Sequence, residues 1–337
     1  MMWIQLTEGA DVGAIQGELR GLGLWTRPMA SSTGEAVGLS VEPHSCRVSP
    51  KRILAIAGVA DVRVHPSAHP RVDAQANQAV QVGTIHIGAG CAPVLMAGPC
   101  SVETETQIHE AAHFAAQAGA RLLRGGAFKP RTSPYSFDGL GVSALRWLRA
   151  AATAHGLGVV TEVMSEQDVE TVAPFADLIQ VGSRNMQNFA LLRVVGQLGS
   201  PVLLKRGMAA SVEEWLLAGE HLLHAGSSGV IFCERGIQSF DPSTRYLLDL
   251  AAVALLKQVY QQPVIVDPSH GVGRRDLVAT MGRAALTAGA DGLIVEMHPE
   301  PEVAQSDGPQ ALSPQELMAL GKHMGVSPWA RNREARV

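Results

Sequence analysis

The chain has 337 residues, more than one domain usually holds, so one large domain with a small one is the organisation to expect. Hydrophobic residues make up 46% of the sequence and 35 residues are glycine, a composition typical of an α/β protein with a large core. The net charge of −4 gives no overall attraction to nucleic acid or an anionic membrane, and both are excluded as expected partners. Any anion site must therefore be built from a local cluster of cations.

The four cysteines, Cys46, Cys91, Cys100 and Cys233, are irregularly spaced and include no CxxC pair. Such a set is a poor disulfide framework and indicates a reducing compartment. The N-terminal sequence MMWIQLTEGADVG lacks the basic and apolar regions of a signal peptide, and no run approaches the roughly 18 apolar residues of a membrane span. We therefore expect a cytoplasmic protein.

Residues 1–66 alternate short strands and helices in the order βαββαβ. The strands are MWIQL, LWTRPMA, EAVGLSVEP and VADVRVHP, and the helices are DVGAIQGELRGLG and SPKRILAIAG. This order predicts a ferredoxin-like domain. It holds no group of His, Cys, Asp or Glu with ligand spacing, which favours a structural or interaction role.

Residues 67–92 are predicted to be a polar linker followed by a short strand, TIHIGAG, that covers the bottom of the next domain. From residue 93 to residue 325 one theme repeats, in which an apolar β-branched strand ends in a polar residue and a helix follows. There are eight such strands, PVLMAGP, RLLRGG, GVVTEV, LIQVGS, PVLLKRG, GVIFCERG, PVIVDPSH and GLIVEMH. The helices predicted between them include SEQDVETVAPF, NFALLRVVGQLG and STRYLLDLAAVALLKQVY. This pattern predicts a (β/α)8 TIM barrel, with a doubly wound open sheet as the alternative, and residues 326–337 form a tail.

Catalytic groups of such barrels lie where strands end and loops begin. All eight predicted strands end in charged or metal-binding residue types, which an apolar core would not select. These residues are Cys100, Arg124, Glu162, Arg184, Lys205, Arg206, Glu234, Arg235, Asp267, His270, Glu296 and His298. Each alone has a structural explanation, such as an ion pair or a helix cap, but together they indicate a functional rim.

Part of this rim suits a metal ion. Cys100, His270, Glu296 and Asp307 offer a thiolate, an imidazole and two carboxylates, a mixed set that suits Mn, Fe, Co or Zn. Alone, Cys100 would more often be a buried apolar residue, and Asp307 in AQSDGPQ would be a turn residue.

The rest of the rim is cationic. It comprises Arg124, Lys129, Arg131, Arg184, Lys205, Arg206 and Arg235, with Arg274 and Arg275 near the seventh strand. Arginine matches phosphate and carboxylate oxygens bidentately, and so many cations around one cavity would repel each other without anions. The sequence thus predicts small substrates that carry phosphate and carboxylate groups.

At these residues the chain resembles 3-deoxy-D-arabino-heptulosonate 7-phosphate (DAHP) synthase, of the type I-beta branch with an N-terminal ferredoxin-like regulatory domain. The matching motifs run in order across roughly residues 90–325. They are AGPCSVE, RGGAFKPRTSPYSFDGLG, TEVM, IQVGSRNMQNF, LLKRG, CERG, DPSHGVGRRD and VEMHPEPEVAQSDGPQ. The resemblance implies a transferase for the first step of the shikimate pathway, which condenses phosphoenolpyruvate (PEP) with D-erythrose 4-phosphate and water.

The resemblance also implies the roles of residues. Cys100, His270, Glu296 and Asp307 would bind one divalent metal ion. Arg124 and Lys205 would hold the PEP carboxylate, and Arg184, Arg235 and the backbone at Ser183, where family members often have alanine, would hold its phosphate. Erythrose 4-phosphate would meet Lys129, Pro130, Arg131, Thr132, Ser133 and Asp267. Lys129 lies between both substrates as a proton donor, and Glu162 is the candidate to activate water.

Two alternatives stay open at the level of the sequence. One is 3-deoxy-D-manno-octulosonate 8-phosphate synthase, which uses arabinose 5-phosphate, although the KPRTS run argues against it. The other is a non-catalytic sensor or scaffold. The resemblance further implies feedback control by an aromatic amino acid or a pathway product through the small domain, and a homo-oligomer, expected to be a tetramer.

Overall fold

The computed structural model describes residues 2–30, 36–42, 48–128 and 139–326. The chain divides into two compact units, residues 1–70 and 71–337. In the described part of the chain, no helix has the length and apolar character needed to cross a membrane.

The first unit is a four-stranded antiparallel sheet with two helices, in the predicted βαββαβ order. Its elements are β1 Met2–Leu6, α1 Val12–Gly21, β2 Thr26–Ala30, β3 Ala36–Val41, α2 Pro50–Leu54 and β4 Val59–Val64. The strands lie in the order β2-β3-β1-β4, which is the ferredoxin-like topology. Its core is formed by apolar residues of both helices and of the covered sheet face, among them Ile4, Ile15, Leu19, Leu39 and Ile53.

The second unit is a closed parallel barrel of eight strands, so the predicted TIM barrel is confirmed and the open sheet is wrong. The strands are β7 Val94–Gly98, β8 Leu122–Arg124, β9 Gly158–Val163, β10 Leu178–Val181, β11 Val202–Lys205, β12 Val230–Glu234, β13 Val264–Val266 and β14 Gly292–Glu296. The helices around them are α4 Glu105–Gln117, α5 Val142–His155, α6 Val169–Val172, α7 Phe189–Gln197, α8 Val212–Ala225, α9 Leu250–Leu255, α10 Pro268–Val272, α11 Arg275–Thr287 and α12 Pro314–His323.

The segment before the barrel is folded. It contains the short helix α3 Pro70–Ala74 and a hairpin of β5 Ala79–Val82 with β6 Ile85–Gly88. Val80, Val82 and Ile87 of this hairpin belong to the same apolar cluster as the inner residues of the barrel. The hairpin therefore closes the barrel at the end opposite to the strand carboxyl termini.

Three helices differ from the sequence prediction. The predicted helix at residues 165–175 is broken into α6 and two flanking 3-10 turns. Pro174 lies in the second turn and lacks the N–H that a continuous helix needs there. The predicted helix from Ser243 begins only at Leu250, where Asp249 accepts a hydrogen bond from Ala252 N at 2.9 Å. The short helix α10 was read as the end of a strand.

Candidate active site

The barrel interior consists of an apolar layer with a polar layer above it. Inward residues of the eight strands form one apolar cluster, which contains Met96, Leu122, Val160, Leu178, Leu203, Ile231, Ile265 and Ile294. Side chains of a strand repeat their direction every two residues, so the next inward layer lies two positions further on. That layer consists of Gly98, Arg124, Glu162, Gln180, Lys205, Cys233, Asp267 and Glu296. Six of these eight residues are charged or carry an amide, at the end of the barrel where catalytic groups of this fold lie.

A thiol and two carboxylates meet at this end. Donor atoms of Cys100, Glu296 and Asp307 all lie within 4.8 Å of one another, and Cys100 Sγ is 3.2 Å from Asp307 Oδ2. Glu296 ends β14 and is fully buried, whereas Cys100 follows β7 by two residues and is 6% exposed. Asp307 has a φ of +54°, a left-handed conformation that aspartate tolerates better than most residues. Three segments far apart in sequence thus contribute to one cluster.

His270 adjoins the two carboxylates of this cluster. Its Nε2 lies 3.2 Å from Glu296 Oε1 and 3.9 Å from Asp307 Oδ2, while Nδ1 lies 2.7 Å from Asp267 Oδ2. Asp267 also caps α10, since Oδ1 accepts a hydrogen bond from His270 N at 2.9 Å. A ring proton on Nδ1 would satisfy Asp267 and leave the Nε2 lone pair for a ligand, the usual arrangement of metal-binding histidine.

Burial and charge act together on the ionisation of this pair. Burial lowers the pKa of His270 below its ordinary value, although the neighbouring Asp267 and Glu296 carboxylates oppose the change. Burial alone would raise the pKa of Asp267, but the electrostatic attraction of His270 and Lys205, with the hydrogen bond from His270, holds that pKa well below its usual range. A neutral imidazole and an ionised supporting carboxylate are the forms that metal binding needs.

Cys100, Glu296 and Asp307 are close enough together to share one ion, and His270 lies beside the two carboxylates. Ligands that each lie about 2.0–2.3 Å from one ion are separated from each other by about 3 to 4.5 Å. The separations of Cys100 from Asp307 (3.2 Å), of His270 from Glu296 (3.2 Å) and of His270 from Asp307 (3.9 Å) fall in this range. The second oxygen of Glu296 accepts a hydrogen bond from Gln310 Nε2 at 2.6 Å, which fixes the carboxylate from behind. The donor set mixes soft and hard atoms, as transition-metal sites do.

Three buried cations lie at the same end of the barrel. Arg124 Nη1 is 3.2 Å from Glu296 Oε1, and Lys205 forms an ion pair with Asp267. Burial alone would lower the pKa of Arg124. Nearby acidic groups, of which Glu296 has the largest effect, nevertheless hold this pKa above the ordinary value. Arg235 stacks on Tyr246 at 4.4 Å, and its Nη1 is buried with no hydrogen-bond partner in the described part of the chain. A buried guanidinium with an unused donor is suited to an anionic ligand.

Other cations of the predicted rim are occupied within the protein. Arg206 donates to Glu234 Oε2 at 3.1 Å and to Asp249 Oδ2 at 2.8 Å, so it is part of a buried structural ion pair. Arg274 and Arg275 form surface pairs with Asp276 and Glu302. These three arginines, counted with the cationic rim from the sequence, thus have acidic partners within the protein. His298, also placed on the rim, accepts a hydrogen bond from Glu300 N at 3.0 Å through Nδ1.

The remaining predicted site residues are divided between two regions. Arg184 is exposed in the 3-10 turn Ser183–Asn185 that follows β10, and Ser183 is half-buried there. Glu162 Oε2 accepts a hydrogen bond from Gln180 Nε2 at 2.9 Å, beside a small cleft lined by Arg124, Gly126 and Thr161. The erythrose 4-phosphate residues Lys129, Pro130, Arg131, Thr132 and Ser133 lie outside the described residues.

Sequence reasoning missed four polar residues that support the site. Gln180 contacts Glu162, Gln310 contacts Glu296, Ser306 Oγ lies 3.1 Å from Cys100 Sγ, and Arg245 Nη1 lies 3.6 Å from Asp307 Oδ1. Gln180 stands two positions after the inward Leu178, a signal that the sequence does contain. Ser306 and Arg245 lie on loops and Gln310 lies in a short 3-10 turn, where no periodicity marks them.

A closed (β/α)8 barrel with a metal-type donor cluster and buried cations at the carboxyl end of its strands defines a TIM-barrel enzyme for anionic substrates. The sequence model of the DAHP synthetase I family matches residues 69–328. The chain therefore belongs to the DAHP synthetase I family, and the resemblance to DAHP synthase is confirmed, whereas the regulatory role of the first unit stays a prediction. Enzymes of this family carry out an aldol-type condensation and are generally metal-dependent.

Individual relatives agree with this assignment. The phospho-2-dehydro-3-deoxyheptonate aldolase of Thermotoga maritima is 48% identical over 254 residues, which cover 73% of this chain and 75% of the relative. A crystal structure of phospho-2-dehydro-3-deoxyheptonate aldolase (DAHP synthase) from Thermotoga maritima covers 96% of this chain and 96% of its own, with 39% identity and a TM-score of 0.74. That share is larger than the second unit alone, so the likeness includes part of the first unit.

A weaker similarity extends to the octulosonate enzymes. The 2-dehydro-3-deoxyphosphooctonate aldolase of Acidithiobacillus ferrooxidans is 32% identical over 235 residues, which cover 64% of this chain and 83% of the relative. The difference in identity favours DAHP synthase over the octulosonate alternative. Membership of an enzyme family also removes the support for a non-catalytic scaffold.

Proposed function

We propose that the barrel condenses phosphoenolpyruvate with D-erythrose 4-phosphate and water to give DAHP and phosphate, with one divalent metal ion bound by Cys100, His270, Glu296 and Asp307. The observation that carries most weight is the gathering of these donors beside buried Arg124. A metal site and a cation for a carboxylate are thus adjacent, as a reaction between an enol phosphate and an aldehyde requires. The metal is Mn, Fe, Co or Zn.

The cations divide the groups of PEP between them. Arg124 and Lys205 hold the carboxylate, while Arg235, Arg184 and the backbone at Ser183 hold the phosphate. The buried Nη1 of Arg235, which has no hydrogen-bond partner among the described residues, supports the phosphate assignment. Binding at both ends fixes the three-carbon unit so that C3 faces the second substrate, which removes orientational freedom before the reaction.

The second substrate lies on the metal side. Lys129, Pro130, Arg131, Thr132 and Ser133 hold erythrose 4-phosphate, and Asp267 contacts one of its hydroxyl groups in addition to orienting His270. A divalent ion in the site would act as a Lewis acid on the aldehyde oxygen. Lys129 donates the proton to this oxygen as C3 of PEP bonds to the aldehyde carbon.

Water completes the reaction. Bond formation at C3 leaves positive charge at C2 of PEP, where water adds before phosphate departs with cleavage of the C–O bond. Glu162 is the base that orients and deprotonates this water. Its hydrogen bond from Gln180 supports the role, because it fixes one carboxylate oxygen and with it the orientation of the carboxylate.

Replacement of the thiol tests the metal site. Cys100→Ala should abolish turnover after chelation and metal restoration while the fold, measured by circular dichroism and melting temperature, is kept. Cys91→Ala is the matched control, since Cys91 lies after the hairpin that closes the opposite end of the barrel. Full metal-restored activity of Cys100→Ala would reject the assignment.

The choice of sugar phosphate is tested by turnover with PEP and each aldehyde in turn. Erythrose 4-phosphate should be used and arabinose 5-phosphate should not. A preference for arabinose 5-phosphate would identify the reaction of the less similar relatives, the 2-dehydro-3-deoxyphosphooctonate aldolases.

Control of the enzyme is assigned to the first unit, within a homo-oligomer that we expect to be a tetramer. An aromatic amino acid or a pathway product binds there and favours a less active state. The assay adds tyrosine, phenylalanine, tryptophan, chorismate or prephenate, and mass measurement in solution gives the subunit number. Rates unaffected by all five compounds would reject feedback control.

A further inference from the structure

A second group of metal-binding side chains lies on the outside of the barrel. The sequence His-Glu-Ala-Ala-His at residues 109–113 has the H-E-x-x-H pattern, in which two histidines one helical turn apart bind zinc. These residues lie on α4, a helix of 13 residues, so His109 and His113 share one face of it. The catalytic roles proposed above use neither histidine.

The structure adds a third histidine and two carboxylates. His155, at the end of α5, packs against His113 with ring centroids 5.7 Å apart. All three histidines, together with Glu110 and Glu300, line one surface cavity of about 520 Å³. Three imidazoles and two carboxylates from three separate segments therefore surround a space larger than a hydrated ion.

We propose that His109, His113 and His155 form a second binding site for a divalent transition metal such as Zn²⁺, with Glu110 or Glu300 as an oxygen ligand. Imidazole nitrogen with one carboxylate is a common zinc donor set. Among the described residues, donors already gathered within 4.8 Å occur only in the cluster of Cys100, Glu296 and Asp307. Binding at the second site thus requires side-chain rotation, for which exposed His113 and half-buried His109 have room.

A metal bound in this cavity would join α4 to the loop after β14. That loop continues from the catalytic strand, since Glu300 N donates to His298 Nδ1 at 3.0 Å and His298 Nε2 lies 3.7 Å from Glu103 Oε2. Glu103 in turn accepts a hydrogen bond from Gln305 N at 2.9 Å, two residues before Asp307. The site would therefore stabilise the loops that carry the catalytic centre. The proposal does not depend on the catalytic assignment.

Zinc stoichiometry tests the proposal. Metal-free full-length protein is titrated with Zn²⁺ by calorimetry, as wild type and as His109→Ala/His113→Ala. We expect two equivalents for wild type and the loss, or an at least tenfold weakening, of one equivalent in the double variant, since about tenfold is the least that removal of metal-supporting groups costs. His155→Ala should weaken the same equivalent. The exposed pair His221→Ala/His224→Ala on α8 is the control and should bind like wild type.

Cobalt separates the two sites. In wild type loaded with Co²⁺, the catalytic equivalent should show thiolate-to-cobalt absorption that Cys100→Ala loses, and the second equivalent should lack this band and persist in Cys100→Ala. If Cys100 does not bind the metal, wild type should lack the thiolate band and should still bind the equivalent that depends on the histidines. Unchanged zinc binding in His109→Ala/His113→Ala would overturn the proposal.

Discussion

Gln310→Leu tests the hydrogen bond that supports the proposed metal ligand Glu296, without changing the ligand itself. Gln310 is 3% exposed, and its Nε2 donates to Glu296 Oε2 at 2.6 Å while its Oε1 accepts from Arg245 Nη1 at 3.1 Å. Leucine has a similar volume and neither polar group. The substitution therefore leaves all four proposed ligands present and removes a hydrogen bond to one buried carboxylate.

The expected cost follows from this contact. Loss of an outer partner of a metal ligand weakens metal affinity about 10–100-fold, which corresponds to about 1.4–2.8 kcal/mol. A hydrogen bond to a charged group, worth about 1.5–3 kcal/mol, gives the same range. Competition with a chromogenic chelator measures the affinity for Mn²⁺ or Co²⁺, and the melting temperature of the metal-free protein reports folding.

The exposed neighbour Gln305 supplies the control, because Gln305→Leu changes a side chain of the same type on the same loop. Gln305→Leu should bind metal like wild type. Gln310→Leu could instead keep both the wild-type metal affinity and the wild-type melting temperature of the metal-free protein. That result would show that the hydrogen bond from Gln310 to Glu296 does not support a metal ligand.

Two further substitutions test the barrel and the proposed base. Lys257→Met should lower the free energy of unfolding by about 1–2 kcal/mol in urea denaturation, because it leaves the half-buried carboxylate of Asp291, bonded at 2.7 Å, without its charge partner. An unchanged free energy of unfolding would contradict this. Gly182→Ala would place a methyl group 1.9 Å from Glu162 Oε1, so kcat should fall at least about tenfold, the cost of misplacing a general base. Gly158→Ala meets its nearest atom at 3.4 Å and should keep kcat, and equal rates of the two variants would contradict the expected displacement of the base.

Most of the fold could be predicted from the sequence because it depends on local patterns. Eight apolar strands that had lost their alternation, each followed by a helix, predict a barrel buried on both faces. The errors occurred where a single residue overrides the pattern. Pro174 broke a predicted helix, and Asp249 moved the start of α9 to Leu250. The Asp-Pro start of α10 has the N-cap and N1 residues of a helix, a signal that was present in the sequence and was read as a strand end.

The site could be predicted only in part. The residue types at strand ends can be read from the sequence, but the partner of each charged side chain cannot. Arg124 and Arg206 both follow apolar strands, and nothing nearby in sequence distinguishes them. The partners of Arg206 are Glu234 and Asp249, which lie 28 and 43 residues further along the chain. Only the closed barrel brings these segments together.

Strand parity explains which strand-end charges face the cavity. Lys205 follows inward Leu203 by two residues and reaches Asp267, which follows inward Ile265 by two. Their neighbours have the opposite parity, and Arg206 pairs there with Glu234, next to Trp215 of the surrounding helices. Two adjacent cations in the run LLKRG thus have opposite environments, one in the catalytic cavity and one in the shell between barrel and helices. Counting in steps of two from the inward apolar residue of the strand distinguishes Lys205 from Arg206. A criterion based on charge alone assigns both residues to the site.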